Sequence, residues 1–463
     1  MAACHSQGRA VASGCLRRSS TGLRCDSTPH DPLPVLLYDF ELPMLPSRIR
    51  RCVILCLLSC CLGGSALGDN WPDFRGPNRD GRISTARLPL RWSEKENVTW
   101  KVELPGRGWS TPVAWNEQLW MTSAEEDGKS LLVLCVGLDG KLKHRVKVFE
   151  VEKPAPINRL NSHASPSPVI EDGRVYVHFG TSGTACLDTA TGKILWTRRD
   201  VNLDHQEGAG SSPVLFGDLL IFHCDGRDRQ YIAALNKKTG KTAWQVERSI
   251  DLTKTPSHAR KAFSTPLVVG SDKAPVLISP AAQGCYAYDP RDGRELWHLK
   301  YKGFSAVPRP VASDGLVYVV TDFARPHLLA VRPNGRGDVT KTHVTWTATA
   351  QMPSTPSPAI ADGLIYTVTD KGGVACCLDA KTGKLHWRQR LGGNFSASPI
   401  VAGERVYFFD REGNTTVMQR GRQAKVLGVN RLATGLMASP TVVGDNLYLR
   451  TRTGLYRIEA TGR

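Results

Sequence analysis

The 463-residue chain lacks any long hydrophobic run. Its clearest apolar stretch, Cys52 to Leu62, is too short to cross a bilayer comfortably, so a membrane-spanning helix is excluded as the organising feature. It has no C-x-x-C pair and no dense cysteine framework. Seven of its 13 cysteines precede Asp69, and the other six (Cys135, Cys186, Cys224, Cys285, Cys376 and Cys377) are scattered, so burial rather than disulfides or zinc must hold the core. A nucleophile elbow, a Ser-His-Asp order, an H-E-x-x-H pair and the protein-kinase signature set are all missing. The formal net charge is +17, yet no basic run interleaved with aromatics and no nucleic-acid motif accompanies it. That charge reads as surface character, with a polyanionic partner as the minor alternative. No long polar tract occurs either, while 43 glycines and 29 prolines are spread along the chain, which describes a globular, turn-rich protein.

One segment near the N-terminus has a different character. Arg48-Ile49-Arg50-Arg51, the apolar run to Leu62 and Gly63-Gly64-Ser65-Ala66-Leu67-Gly68 follow one another as the basic, hydrophobic and small-residue regions of a secretory signal. Met44 stands directly before them. The expected division is therefore an upstream extension from a misplaced start over 1–43, a signal peptide over 44–68 and one folded unit over 69–463. Cleavage near Gly68 fits the small residues, and lipidation of Cys60 within Leu57-Leu58-Ser59-Cys60 is the alternative. Membrane attachment is expected only in that second case.

From Ser110 onward one pattern recurs. A short apolar opener carries a proline at 112, 168, 213, 266, 310, 358, 399 and 440, and the intervals match one four-stranded propeller blade. Each opener leads through a tight turn into an alternating strand, as in Ser357-Pro358-Ala359-Ile360, Ala361-Asp362-Gly363 and Leu364 to Val368. The outer half of the repeat is an Asp-x-x-Thr-Gly turn followed by tryptophan, as in Asp188 to Trp196, Asn236 to Trp244 and Asp379 to Trp387. Asp and Thr side chains satisfy turn amides and Gly supplies positive φ. A tryptophan at this interval is read as core. The last repeat lacks its tryptophan strand, whereas Val98-Thr99-Trp100-Lys101-Val102 precedes the first opener without a blade of its own. The expected fold is all-β: an eight-bladed β-propeller of four-stranded blades, its ring closed by that N-terminal strand completing the last blade.

Trp71-Pro72-Asp73-Phe74-Arg75-Gly76-Pro77-Asn78-Arg79-Asp80-Gly81 together with these repeats resembles the exported PQQ-like (pyrroloquinoline-quinone repeat) propellers of planctomycete type, and more distantly the outer-membrane assembly factor BamB. The resemblance implies an exported protein of the periplasm or cell envelope. It carries over no catalytic residues, and propellers host many functions.

The segments before each opener and the hairpins between second and third strands are expected to share one face around the axis. That face collects Asn161, His163, His205, Asp225, Asp228, Arg260, Arg309 and Asn394 as candidate binding residues. Their mixed charges suit a non-catalytic scaffold that recognises an envelope protein, an extended peptide or a glycan, acting as a monomer with no cofactor and no metal. The alternative is a PQQ-dependent dehydrogenase oxidising an alcohol or sugar with calcium. The adjacent Cys376 and Cys377 invite comparison with the vicinal disulfide of those enzymes, but they fall on a strand, where neighbours point to opposite faces.

Overall fold

The computed structural model describes residues 70–83 and 86–460, so the expected extension, signal and Cys60 lie outside the described residues. The repeat resolves into eight sheets, each with four antiparallel strands running outward from the axis, in chain order in blades 1 to 7. Blades 1 to 8 begin at Val113–Trp115, Val169–Glu171, Val214–Phe216, Leu267–Ser271, Val311–Ser313, Ala359–Ala361, Ile400–Ala402 and Thr441–Val443, each directly after its opener proline. The second and third strands are covered on both faces by neighbouring blades. They therefore read as near-continuous apolar runs such as Leu131 to Val136, all buried. Closure is as the sequence implies: Val98–Glu103 pairs antiparallel with Gly454–Ile458, and blade 8 is completed from the N-terminal side.

The recurrent tryptophan is a latch between blades. Trp196 Nε1 donates to the Lys237 carbonyl in the outer turn of the next blade at 3.0 Å. Trp244, Trp297, Trp346 and Trp387 repeat the bond on Pro290, Pro333, Ala380 and Gly421, and Trp100 carries it across the closure to Leu138 at 2.9 Å. The turn glycine is required by the same contact. Gly240 sits at φ +71°, and a Cβ there would lie 2.7 Å from the Trp196 ring. The Asp of the motif closes the turn, with Asp188 Oδ1 accepting from the Thr191 amide at 2.8 Å and its hydroxyl at 2.7 Å. Cys376 and Cys377 are free thiols that face different inter-blade cores, which agrees with their strand position.

The Trp71–Gly81 segment folds inside the ring, across the ends of the inner strands. Trp71 bridges Ala114 of blade 1, and the Pro72 carbonyl accepts from the Ile170 amide of blade 2 at 2.9 Å. Arg82–Ile83 adds a parallel strand on the axial side of blade 7. Gly76, at φ +82°, lies so close beneath Trp71 that a Cβ would stand 2.9 Å from the indole. The chain then runs out under blades 7 and 8, where Trp92 stacks on Tyr407 at 6.3 Å, before it reaches the closing strand. The segment is thus an axial plug, tied to five blades before its residues end.

Arg309 is its counterpart in the ring. Seven openers place Ser or Thr before the proline; blade 5 places Arg309. Its guanidinium is fully buried and meets Asp73 of the plug, with Nη1 at 2.9 Å from Oδ1. A second buried guanidinium, Arg75, donates to the Pro358 carbonyl of blade 6 at 3.2 Å, and burial pushes it down to about 9.

Candidate functional site

The opener residues make a ring of hydroxyls around the axis. The Thr111 amide donates to Ser167 Oγ at 2.9 Å, Ser167 to Ser212 at 2.9 Å and Ser212 to Thr265 at 3.0 Å. After the interruption at Arg309, the same bond runs from Arg309 to Ser357, from Ser357 to Ser398 and from Ser398 to Ser439. The step from blade 8 back to blade 1 is made differently. Thr441 Oγ1 donates to the Pro112 carbonyl, and the buried Arg450 guanidinium reaches Ser110 Oγ at 2.6 Å and the Thr122 carbonyl at 2.8 Å. Six of the seven opener hydroxyls thus accept a backbone N–H of the preceding blade, and together they form the base of the axis.

Above it lies a cavity of about 550 Å³ to which all eight blades contribute. The plug supplies its floor through Phe74, and the segments before the openers supply its walls. On the side of blades 4 and 5 the wall is aromatic: Phe263, Phe304 and Phe323, the last about half exposed at the mouth, with the His258 ring edge-on to Phe304 at 5.9 Å. Between blades 2 and 4 the wall is polar and neutralised. The nearly buried Lys261 ammonium meets Gln206 Oε1 at 2.6 Å and Glu207 Oε1 at 2.9 Å. Asn158 takes Glu207 Oε2 at 2.9 Å, and Asn161 donates to the Glu207 carbonyl at 2.7 Å. The third side, over blades 1, 2, 7 and 8, carries Trp109, Leu160, Met437 and Arg411. There the cavity is continuous with a side groove of about 520 Å³ that shares Trp109, Leu160 and Met437 and is edged by Arg107, Arg159 and Arg452 with Glu103 and Glu126.

The family model described as outer membrane protein assembly factor BamB matches residues 93–337 and 335–463, nearly the whole described ring. The chain belongs to this BamB family. The solved structure of BamB from Moraxella catarrhalis superposes with a TM-score of 0.55 at 12% identity, covering 78% of this chain and 99% of that one. A europium-containing methanol dehydrogenase gives 0.64 at 11% identity, covering 84% and 91%. At such identities these likenesses speak to the fold. Among curated proteins, the methanol dehydrogenase [cytochrome c] subunit 1 of Methylorubrum extorquens is 29% identical over 163 residues, and that of Methylobacterium organophilum 28% over 157. Those matches span 31% of this chain and about a quarter of the relatives' length, 24% in each case.

In this BamB-family ring the eight residues singled out by sequence divide. Asn161 lines the cavity. Asp225 is buried against Arg248, with Nη2 to Oδ2 at 2.8 Å and both side chains almost wholly covered. Arg309 is buried against the plug, so neither is presented on the face as the sequence predicts: each charge is drawn inward by a buried ion pair, Asp225 with Arg248 and Arg309 with Asp73. His205 packs inward beneath Gly180, and both its ring nitrogens lack partners, so burial pushes it down to about 4. Asp228 accepts from the Asp204 amide at 2.7 Å, Arg260 ties off its own loop on the Thr255 carbonyl at 2.7 Å, and Asn394 bonds Glu412 at 2.9 Å. His163 lies half-buried beside Gly128, its pKa lowered by burial and by Arg107. The phenylalanine wall and the rim arginines were missed, because they come from separate blades with no local motif. Phe74 had a signal in the Trp71–Gly81 segment, which no propeller strand accounts for.

The lining bears on whether the calcium of a PQQ and calcium pair could be held here. Calcium takes six to eight oxygens, usually with several carboxylates. Glu207 is the one carboxylate among the lining residues, and both its oxygens are engaged. No group of three or more His, Cys, Asp or Glu able to hold a metal occurs among the described residues. The calcium half of that cofactor pair does not fit this cavity.

Proposed function

We propose that the protein is a non-catalytic binding or assembly scaffold of the cell envelope, and that the axial cavity is where it takes a segment of its partner. The observation that carries this reading is the cavity's construction: Phe74 in the floor and an aromatic wall over a base in which six opener hydroxyls accept backbone N–H bonds, with the charges of Lys261 and Glu207 in one wall cancelling each other. Such a lining buries an apolar anchor and hydrogen-bonds what leads to it. None of the opener hydroxyls bonds the lining imidazole, His258, which packs on Phe304, so no hydroxyl–imidazole pair of the kind that activates a nucleophile lines the cavity. Export to the periplasm or envelope belongs to the same reading. It is supported by the signal-like segment before Asp69 and by the family's description as an outer-membrane assembly factor.

The names of the methanol dehydrogenase relatives bear on the second reading, oxidation of an alcohol or sugar, for which the sequence raises PQQ and calcium as the cofactor pair. The single lining carboxylate speaks against it. Adding PQQ and calcium to purified protein, desalting, and measuring retained quinone absorbance and dye reduction with alcohols or sugars separates the two. The scaffold reading expects neither retention nor turnover; stoichiometric retention with turnover replaces it.

A further inference from the structure

The mouth of the axial cavity is electrically lopsided. On the side of blades 2 to 4, the Lys261 and Glu207 charges cancel at 2.9 Å. On the opposite side Arg107, Arg159, Arg411 and Arg452 converge from blades 1, 2, 7 and 8, and none has an acidic partner within ion-pair distance among the described residues. Elsewhere on the surface arginines are commonly paired: Arg145 with Glu125, Arg227 with Asp204, Arg229 with Glu247 and Arg420 with Glu404. Two of the four rim arginines are held in place by other means. Arg107 lies over the Trp109 ring at 4.9 Å, and Arg411 donates to Ser396 Oγ and the Phe395 carbonyl at 2.8 Å each. Burial lowers the Arg411 pKa and Arg452 and Arg159 add to that, so these charges feel one another; Asp370 and Glu412 oppose the shift. Those two acids are committed behind the rim, Asp370 to the Ser354 amide at 2.6 Å and Glu412 to Asn394 at 2.9 Å. Glu103 and Glu126 edge the same groove as Arg107, Arg159 and Arg452, exposed and beyond ion-pair distance of them.

Guanidinium groups left unpaired around a low-dielectric opening attract carboxylates, because a planar fork matches a carboxylate bidentately and the wall behind it screens little. The aromatic wall across the cavity asks for an apolar group, and the groove leaving past Trp109, Leu160 and Met437 gives an extended chain a way out. We infer that the occupant is an extended peptide segment of a partner protein. It places an aromatic or large aliphatic side chain against Phe263, Phe304 and Phe323 and carries acidic residues next to that anchor toward Arg159, Arg411 and Arg452. This rests on the axial-cavity reading above and gives it a ligand chemistry and a direction.

Calorimetric titration of the full chain with three short peptides tests it: glycine-flanked phenylalanine followed by two aspartates, the same peptide with two asparagines, and the aspartate peptide with glycine in place of phenylalanine. The phenylalanine–aspartate peptide is expected to bind about tenfold more tightly than the asparagine version. That margin should disappear at about 0.5 M salt, where screening is strong, and in the Arg159→Gln/Arg452→Gln variant. Both substitutions are on exposed side chains, so the thermal midpoint should stay put and report an intact ring. Equal affinity of the aspartate and asparagine peptides overturns the acidic preference and leaves the cavity reading standing. Equal affinity of the phenylalanine and glycine peptides overturns the anchor and with it the cavity reading, while binding by none of the three overturns both.

Discussion

At the scale of the residue, the most consequential side chains are buried polar groups whose partners come from distant sequence. Arg309 and Asp73 are 236 positions apart, yet their ion pair joins the plug to blade 5. Breaking a buried pair from one side leaves an uncompensated charge. Arg309→Ala is therefore expected to cost about 3 kcal/mol in urea denaturation, toward the low end of such losses because Arg79 also reaches Asp73, at 3.2 Å. The Asp73→Ala/Arg309→Ala double variant should cost less than the sum of the two single changes; simple additivity would mean that the pair does not couple. His205 makes a second residue-scale prediction. Burial holds the folded imidazole down at about 4, against its ordinary value near 6.5 in the unfolded chain. In that window the unfolded chain holds a proton that the folded chain does not. The contribution is complete above the unfolded value, is lost as pH falls through the window, and levels off below about 4. The loss is about 1.4 kcal/mol per pH unit for one proton. Unfolding free energies measured across the window for His205→Leu should show a pH slope shallower by about one proton; an unchanged slope would mean His205 is not buried neutral.

The elements were largely legible because the blade is a local object. Opener proline, tight turn, Asp-x-x-Thr-Gly and tryptophan all fall within one repeat, so strands and turns could be placed, and the orphan strand at Val98 could be matched to the blade lacking one. What could not be read is what the elements do to one another across the axis. A serine before an opener proline looks like a turn residue until the preceding blade's amide is seen to donate to it, and Arg309 looks like a loop cation until the plug arrives. The closure is testable at this scale. Trp100 is half-buried, packs at 5.9 Å on Tyr448 and bonds Leu138 of blade 1. Trp100→Ala should lower stability by about 3 kcal/mol, the low end of the range for removing a core aromatic. Leu195→Ala, at an exposed position on the outer strand of blade 2, should change it by no more than about 0.5 kcal/mol. Equal urea midpoints for the two would contradict a load carried by the closing strand.

Across the described ring, the blades, hydroxyl base and plug together shape an opening around the axis. A repeat fold leaves each blade much alike, so the departures from repetition mark what the protein has been built to do: Arg309 in place of a hydroxyl, Phe74 on the axis, phenylalanines on one side and arginines on the other. The most direct test places a photo-crosslinking amino acid at position 323, at the cavity mouth, or at position 429 on the exposed outer strand of blade 7. Each protein is irradiated in envelope extracts with and without the phenylalanine–aspartate peptide. The predicted result is a protein adduct at 323 that the peptide suppresses, with no specific adduct at 429. An adduct at 429 alone, or one at 323 that the peptide leaves undiminished, would contradict the axial cavity as the binding site.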